Sequence, residues 1–179
     1  VNQSFNRITV DGDTSTNDAC TLSATGASGV DIHDCVDEFQ RALDEVTQSL
    51  AHQIIKDGEG ATKFVEVCVK GGASNEDCLE VAYTVAHSPL VKTALFASDA
   101  NWGRILAAVG RANIKDLSIE DINIALNDVN IIQAGEPDEN YTEAAGSAEM
   151  AKEEIIITIE IGKSDTFESV WTTDFSYDY

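Results

Sequence analysis

Length, composition and charge narrow the classes of protein to which this chain can belong. Its 179 residues suffice for one domain with a sizeable core, predicted to span residues 1–179, and 43% of them are hydrophobic, which argues against disorder. The net charge of −21 argues against nucleic acid as a partner and disfavours contact with anionic membranes. No apolar run approaches the length of a membrane span, and the amino-terminal residues carry no secretory signature.

The four cysteines give no sign of a metal site or of a disulfide framework. Cys20, Cys35, Cys68 and Cys78 form no Cys-x-x-Cys pair, and none has a histidine at zinc-ligand spacing. We therefore expect buried, reduced thiols and a cytoplasmic protein.

The amino-terminal third predicts two short strands and one long helix. Ile8–Val10 is a β-prone run that the turn signal at residues 11–13 ends, and Cys20–Ala24 is a second candidate strand. The range Asp31–Lys56 has helical periodicity, with Asp31 as its predicted N-cap. The apolar residues of this helix form one continuous stripe: Ile32, Cys35, Val36, Phe39, Ala42, Leu43, Val46, Leu50, Ile54 and Ile55.

The middle of the chain alternates between predicted strands and helices. Thr62–Lys70 is a largely apolar strand, and the range Ser74–Ala86 is a helix that its first residue caps. Leu90–Phe96 has the composition of a strand or extended segment. Either Asp99 or Asn101 caps a further helix that ends near residue 111.

The last third is rich in predicted strands. Ile122–Leu126 and Val129–Gln133 flank an Asn-Asp pair and predict a hairpin. A short helix over Thr142–Met150 precedes the strand Ile155–Ile161, and a final strand covers Glu168–Tyr177. Together the elements predict one α/β domain, with a twisted mixed sheet and helices packed on one or more of its faces.

The residues by themselves display no complete catalytic set. The sequence has no nucleophile elbow, no phosphate-binding loop and no His-Glu-x-x-His zinc motif. His87 is adjacent to Ser88, but adjacency in sequence does not make a catalytic pair. Asp11 and Asp13 flank a glycine without the further ligands of a calcium loop. Catalytic and metal-binding residues are therefore predicted to be absent from this chain.

Three long stretches carry a resemblance to a known family. Residues 4–18 read SFNRITVDGDTSTND, residues 57–63 read DGEGATK, and residues 88–96 and 99–111 read SPLVKTALF and DANWGRILAAVGR. In this order they resemble the β-chain of the bifunctional ornithine acetyltransferases (glutamate N-acetyltransferases) of arginine biosynthesis. The resemblance implies an α/β (α+β) fold of the layered αββα-sandwich kind, with a mixed sheet and packed helices.

The resemblance also implies an activity that this chain performs only with other parts. Family members are made as a precursor that cleaves itself into α and β chains, and the new β-chain starts with the nucleophilic Thr. The segment with that Thr and the α-chain with its oxyanion-hole residues lie outside the matched stretches, so no catalytic residue is assigned here. The Thr takes the acetyl group from N-acetylornithine and passes it to glutamate by a ping-pong mechanism. No metal or organic cofactor is needed.

The same resemblance implies partners and one site residue. The α-chain of the same precursor is the expected partner, αβ pairs assemble further, and a role for acetyl-CoA as a second donor stays open. Glu59 matches the family glutamate that contacts the amino-acid substrate, and a carboxylate between two glycines can pair with an ammonium group. Without the resemblance, Glu59 is an exposed acid in a turn. Trp102 and Arg104 could line the pocket or the chain interface, but an aromatic residue at a helix start is more often a packing residue, and packing is the prediction here.

Two other functional classes remain open from the sequence. The chain could be a subunit of a self-processing amidohydrolase or aminopeptidase, which passes the acyl group to water, or a non-catalytic interaction domain. Dependence of the reaction on glutamate distinguishes the transferase from the hydrolase.

Overall fold

A computed structural model describes residues 1–179 and shows five α-helices around one six-stranded sheet. The helices are α1 (Val36–Lys56), α2 (Asn75–Ala86), α3 (Pro89–Phe96), α4 (Trp102–Arg111) and α5 (Glu143–Met150). The strands are β1 (Phe64–Lys70), β2 (Asn123–Leu126), β3 (Val129–Gln133), β4 (Glu136–Pro137), β5 (Glu154–Glu160) and β6 (Phe167–Thr173). Short 3₁₀ turns lie at Phe5–Arg7, Ile32–Asp34 and Ile119–Asp121.

The sheet is mixed, with the strand order β4-β3-β2-β5-β1-β6. The central strands β1 and β5 are parallel and set Val65 opposite Ile155 and Val67 opposite Ile157. All the other neighbours are antiparallel, and β6 sets Val170 opposite Val67. The predicted α/β class, with a mixed sheet and packed helices, is confirmed. A second sheet of an αββα arrangement does not lie within residues 1–179.

One face of the sheet carries the hydrophobic core. Alternate residues of β1 and β5 are buried, because successive side chains of a strand point to opposite faces. Helix α2 packs on β1 and β6, α4 packs on α2, and α5 packs on β2 and β3. The core joins 25 buried residues into one cluster, which includes Val67, Ile157 and Met150.

Helix α1 lies over the opposite face and contacts it with its carboxyl half. The ring centroid of His52 lies 5.1 Å from that of Phe64 and 4.5 Å from that of Trp171. Only Ala51 and Ile55 of α1 are fully buried. The amino half of α1 has no fully buried side chain, although Arg41 and Asp44 line an open cavity with Glu168 of β6.

Most predicted elements are confirmed, including their caps. The Ser74 hydroxyl accepts from the Asp77 amide at the start of α2. Asn101, and not Asp99, caps α4 by accepting from the Arg104 amide. The predicted hairpin joins β2 to β3, and Asn127 in its turn has a positive φ of 48°. Asparagine tolerates that conformation better than most residues do.

The strand or extended segment predicted over Leu90–Phe96 is wrong, because these residues form most of α3. The Ser88 hydroxyl accepts from the Val91 amide and so caps the helix. Pro89 occupies the first helical position, where its fixed φ favours a helix and its missing N–H leaves no hydrogen bond unmade.

The two amino-terminal strands were also wrongly predicted. Within Ile8–Val10, only Ile8 pairs with the sheet. It forms an isolated bridge to Trp171, which belongs to the edge strand β6. The turn that starts at Asp11 ends the pairing at once. Cys20–Ala24 forms no strand and is exposed, since no strand of this chain lies beside it.

Two element boundaries differ from the prediction by more than the one or two residues seen elsewhere. The backbone of Cys35 is not helical, so α1 begins at Val36, and Asp31 instead caps the preceding 3₁₀ turn by accepting from the His33 amide. The last strand ends at Thr173, because Asp174 turns to bind another loop. The four cysteines are free thiols, but the prediction that they are buried is wrong for Cys20, which lies exposed because its segment forms no strand. None of the helices combines the length and apolarity that a bilayer crossing requires.

Candidate functional site

The three stretches that carry the family resemblance lie next to one another in the fold. A Cβ atom on Gly12 would lie 3.5 Å from the His87 ring, and one on Gly58 would lie 3.7 Å from Val10. The residues after β6 bridge to the same region, because the Phe175 amide donates to the Lys92 carbonyl at 3.2 Å. Stretches far apart in sequence thus form one surface around the end of β6.

Asp174 anchors the turn that holds Glu59, which we call the Glu59 turn (residues 57–62). One carboxylate oxygen of Asp174 accepts from the backbone amides of Thr62 and Lys63, at 2.8 and 2.9 Å. The other accepts from the Thr62 hydroxyl at 2.6 Å, and Thr173 donates a further hydrogen bond at 3.0 Å. Burial acts to raise the pKa of Asp174, but these hydrogen bonds outweigh it and hold that pKa below the ordinary value of 3.8.

Lys63 also fixes the exit of the Glu59 turn. Its ammonium group donates to the carbonyls of Met150 at 2.7 Å and Lys152 at 3.2 Å. These carbonyls belong to the carboxyl end of α5 and the residues after it, where a cation is favoured by the helix dipole. The Glu59 turn is therefore held at its exit by both a carboxylate and a cation.

Lys92 is a fully buried cation on α3, beside the end of β6. Its ammonium group donates to the Thr172 hydroxyl at 2.8 Å and to the Thr173 carbonyl, and lies 4.6 Å from the centre of the Phe175 ring. Burial lowers the pKa of Lys92 to about 8, against the opposing effect of Asp174 and Asp11. Lys92 therefore fixes the segment from which Asp174 reaches the Glu59 turn.

Glu59 itself is exposed and forms none of the ion pairs within the chain. The next residue, Gly60, has a φ of +65°, and a Cβ there would lie 2.7 Å from the Ser176 hydroxyl and 2.8 Å from the Tyr179 amide. Only glycine combines that backbone conformation with that space. The carboxylate of Glu59 is thus free to pair with a cation, on a turn whose shape is fixed.

The last residues of the chain extend this surface. The Tyr179 hydroxyl donates to Asp11 at 2.6 Å, and its ring stacks on Phe175 with centroids 4.5 Å apart. The hydrogen bond to Asp11 raises the pKa of Tyr179 to about 12, and the negative charge of Glu59 acts in the same direction. Asp11 and Glu59 therefore make this surface attractive to a cationic group.

His87 pairs with Thr9 and not with the adjacent Ser88. The Nε2 atom of His87 lies 3.0 Å from the Thr9 hydroxyl, which also accepts from the Gly12 amide at 3.1 Å. Burial lowers the pKa of His87, and the charge of Lys92 acts in the same direction. Because the Thr9 hydroxyl is engaged by two groups, we interpret the pair as a support for the turn at Asp11.

Of the residues singled out in the sequence, Glu59 lies on the surface just described, and Trp102 and Arg104 pack the fold. Trp102 packs against the core. Arg104 donates to the Leu90 carbonyl at 2.9 Å and the Thr93 hydroxyl at 3.2 Å, and so joins α4 to α3. Sequence reasoning missed Asp174 and Lys92, whose only signals are a lysine within an apolar run and an acid directly after a strand.

The fold and this surface define a mixed α/β chain with a solvent-exposed carboxylate on an anchored turn. The ArgJ family model matches residues 1–179, and the chain belongs to the ArgJ family. The arginine biosynthesis bifunctional protein ArgJ of Pseudomonas fluorescens is 55% identical over 183 residues, and that of Psychrobacter arcticus is 55% identical over 182 residues. In both cases the match covers 99% of this chain and 45% of the relative.

A solved structure has the same fold. The crystal structure of arginine biosynthesis bifunctional protein ArgJ from Bacillus halodurans superposes with a TM-score of 0.93 at 37% sequence identity. The match covers 99% of this chain and 85% of that chain. The present chain spans less than half the length of the curated relatives, at 45%, so those proteins contain further polypeptide outside the matched region.

Proposed function

We propose that this chain is most of the β-chain of a glutamate N-acetyltransferase (ornithine acetyltransferase) that works in arginine biosynthesis in the cytoplasm. The complete enzyme moves the acetyl group from N-acetylornithine to glutamate through an acetyl-Thr intermediate, and the nucleophile lies outside this chain. Membership of the ArgJ family supports this proposal, and so do the names of the relatives.

The single observation that carries the role of this chain is the anchored Glu59 turn. Glu59 is exposed and unpaired, whereas the adjoining Thr62 and Lys63 amides are fixed by Asp174. A carboxylate presented in this way can form a charge-assisted hydrogen bond to the ammonium group of an amino-acid substrate. Both N-acetylornithine and glutamate carry an ammonium group, so the role of Glu59 is substrate binding.

The proposal includes the partners of the chain. Residues 1–179 form one domain, and the α-chain of the same precursor supplies the oxyanion-hole groups that stabilise the tetrahedral intermediate. The αβ pairs assemble further, and the chemistry uses no metal or organic cofactor. Acetyl-CoA is a second donor only if the complete enzyme acetylates glutamate without N-acetylornithine.

The test is Glu59→Gln in the full-length precursor, with the exposed turn residue Glu139→Gln as the matched control. Loss of one charge-assisted contact should raise a substrate KM by roughly tenfold to a hundredfold, because such contacts contribute about 1.5–3 kcal/mol. Splitting of the precursor on a gel should be unchanged, since Glu59 has no role in it.

Three results would each change the assignment. Unchanged kinetic constants for both substrates in Glu59→Gln would remove Glu59 from the site. Ornithine release that does not depend on glutamate would identify a hydrolase, which passes the acyl group to water. Absence of both reaction and precursor cleavage would leave a non-catalytic interaction domain.

A further inference from the structure

Helix α1 presents an apolar stripe that stays about half-exposed along most of its length. Its side chains are Val36, Phe39, Leu43, Val46, Leu50 and Ile54, which we call the α1 stripe. Five of them are among the large exposed hydrophobic side chains, and Val46 is 57% exposed. The side of α1 that packs on the sheet is a different one, where Ala51 and Ile55 are buried. Exposed apolar surface of this extent and regularity marks an interaction site.

The spacing within the α1 stripe indicates what kind of partner fits. From Val36 to Leu50 the apolar residues are separated by three, four, three and four positions, which is the a/d pattern of helices that pack by knobs into holes. A β-sheet needs no such repeat from its partner. The pattern therefore favours a second helix, lying along α1 at a small crossing angle.

The charges of α1 are arranged away from the stripe. The positions that border the stripe are uncharged, at Gln40, Ala42, Thr47 and Ser49. The charged residues of the exposed amino half lie elsewhere around the helix, at Asp37, Glu38, Arg41, Asp44 and Glu45. Burying unpaired charged side chains costs free energy. In a chain of net charge −21, the uncharged band along α1 can therefore be buried without that cost.

The amino-terminal residues of the chain lie at one end of the stripe. Phe5 lines a cavity of about 750 Å³ together with Leu50 and Ile54. The adjoining Arg7 is tied to β6 by an ion pair with Glu168 at 3.0 Å, so this placement is fixed. Polypeptide that could cover the stripe is expected outside residues 1–179, because the matched region is only 45% of the length of the relatives.

We propose that the α1 stripe is the docking surface for an amphipathic helix from the part of the same precursor that lies outside residues 1–179. The partner helix has its own apolar a/d stripe and covers α1 from Val36 to Ile54. This inference rests on the proposed function in one respect, which is that the chain belongs to a longer precursor. A second copy of this chain is a poorer occupant, because two chains of net charge −21 repel each other.

The proposal is tested by photo-cross-linking in the full-length precursor. The photoreactive residue p-benzoylphenylalanine replaces Val46 on the stripe or, as the matched control, Arg41 on the other side of α1, whose side chain is 71% exposed. Both positions are exposed, so neither replacement disturbs the core. Light should join position 46, and not position 41, to an apolar segment outside residues 1–179, identified by mass spectrometry.

Mixing ¹⁵N-labelled and unlabelled precursor separates the possible partners. Cross-links between labelled and unlabelled peptides of residues 1–179 would show that a second copy occupies the stripe, and would overturn the proposal. Equal cross-linking at positions 46 and 41 would overturn it as well. The readout needs no turnover, so a precursor that cross-links as expected but transfers no acetyl group would refute the proposed function alone.

A charge-insertion pair gives a quantitative measure. Phe39→Glu with Val46→Glu places two carboxylates on the stripe, and Arg41→Glu with Gln48→Glu places two with the same spacing on the other side. The first pair should weaken association of the separated chains by at least about a hundredfold, since it forces charges into an apolar contact. An effect no larger than that of the second pair would contradict the docking surface.

Discussion

The interaction of Asp174 with the Glu59 turn allows the sharpest test of how the site is built. Asp174 is 1% exposed and accepts four hydrogen bonds, two of them from the backbone amides of Thr62 and Lys63. In Asp174→Asn the amide oxygen keeps the two backbone donors, but the charge is lost and an NH₂ group replaces the acceptor that faces the Thr62 hydroxyl. Hydrogen bonds to charged groups contribute about 1.5–3 kcal/mol each, so a loss of about 2–3 kcal/mol is expected.

Urea denaturation at neutral pH measures this loss, with Asp178→Asn as the matched control. Asp178 lies on the exposed carboxyl-terminal tail, so its replacement should change the free energy of unfolding by no more than about 0.5 kcal/mol. In the precursor, Asp174→Asn should also raise the KM of the substrate that Glu59 binds, because the turn is held less firmly without the charge and the Thr62 hydroxyl bond. Equal stability of Asp174→Asn and Asp178→Asn would refute the anchoring role.

The acid dependence of Asp174→Asn gives an independent check. Because the folded-state pKa of Asp174 lies below 3.8, the unfolded chain binds this proton more readily. The stabilisation from Asp174 is therefore complete above that value and is lost as the pH falls through the folded-state pKa. The stability gap between the wild type and Asp174→Asn should narrow as the pH falls from 5 to about 3. A constant gap would contradict the explanation.

Three further predictions concern a buried cation, a half-buried imidazole and a constrained glycine. The pKa of Lys92 is about 8 in the folded chain, below that of a lysine in the unfolded chain. The free energy of unfolding of the wild type should therefore rise with pH above 8, by up to roughly 3 kcal/mol relative to Lys92→Met. The same pH dependence of both proteins in urea denaturation between pH 7 and 10 would contradict this. The Nε2 atom of His52 is buried without a hydrogen-bond partner, and burial lowers the pKa of this side chain. The melting temperature of the wild type should therefore fall further than that of His52→Phe when the pH is lowered from 7 to 5. Gly60→Ala should lower the free energy of unfolding, measured in urea, by more than Gly26→Ala does. Both glycines have a positive φ, but only a Cβ atom at Gly60 would contact other atoms. Equal losses would show that the carboxyl-terminal tail is not packed against Gly60.

The elements that could be predicted are those whose pattern is local. The alternation in β1 and β5 and the stripe of α1 follow directly from residue periodicity. Leu90–Phe96 was mistaken for a strand because a short apolar run has no distinct period. Ser88 and Pro89, which cap and start α3, contain the information that decides between helix and strand.

The candidate site could be predicted only in part. The resemblance identified Glu59, but the anchor of its turn depends on a pairing between Thr62 and Asp174, which are 112 positions apart. No pattern within one sequence reports such a pairing. Lys92 was hidden for a similar reason, since its acceptors Thr172 and Thr173 lie 80 and 81 positions away on another element.

The most direct test of the proposed function follows the acetyl group itself. Full-length precursor is supplied with N-acetylornithine that carries a deuterated acetyl group, with and without glutamate, and the products are followed by mass spectrometry. Deuterated N-acetylglutamate should form in amounts equal to the ornithine released, with ping-pong kinetics and a raised substrate KM in Glu59→Gln. Deuterated acetate formed at the same rate with or without glutamate would contradict it.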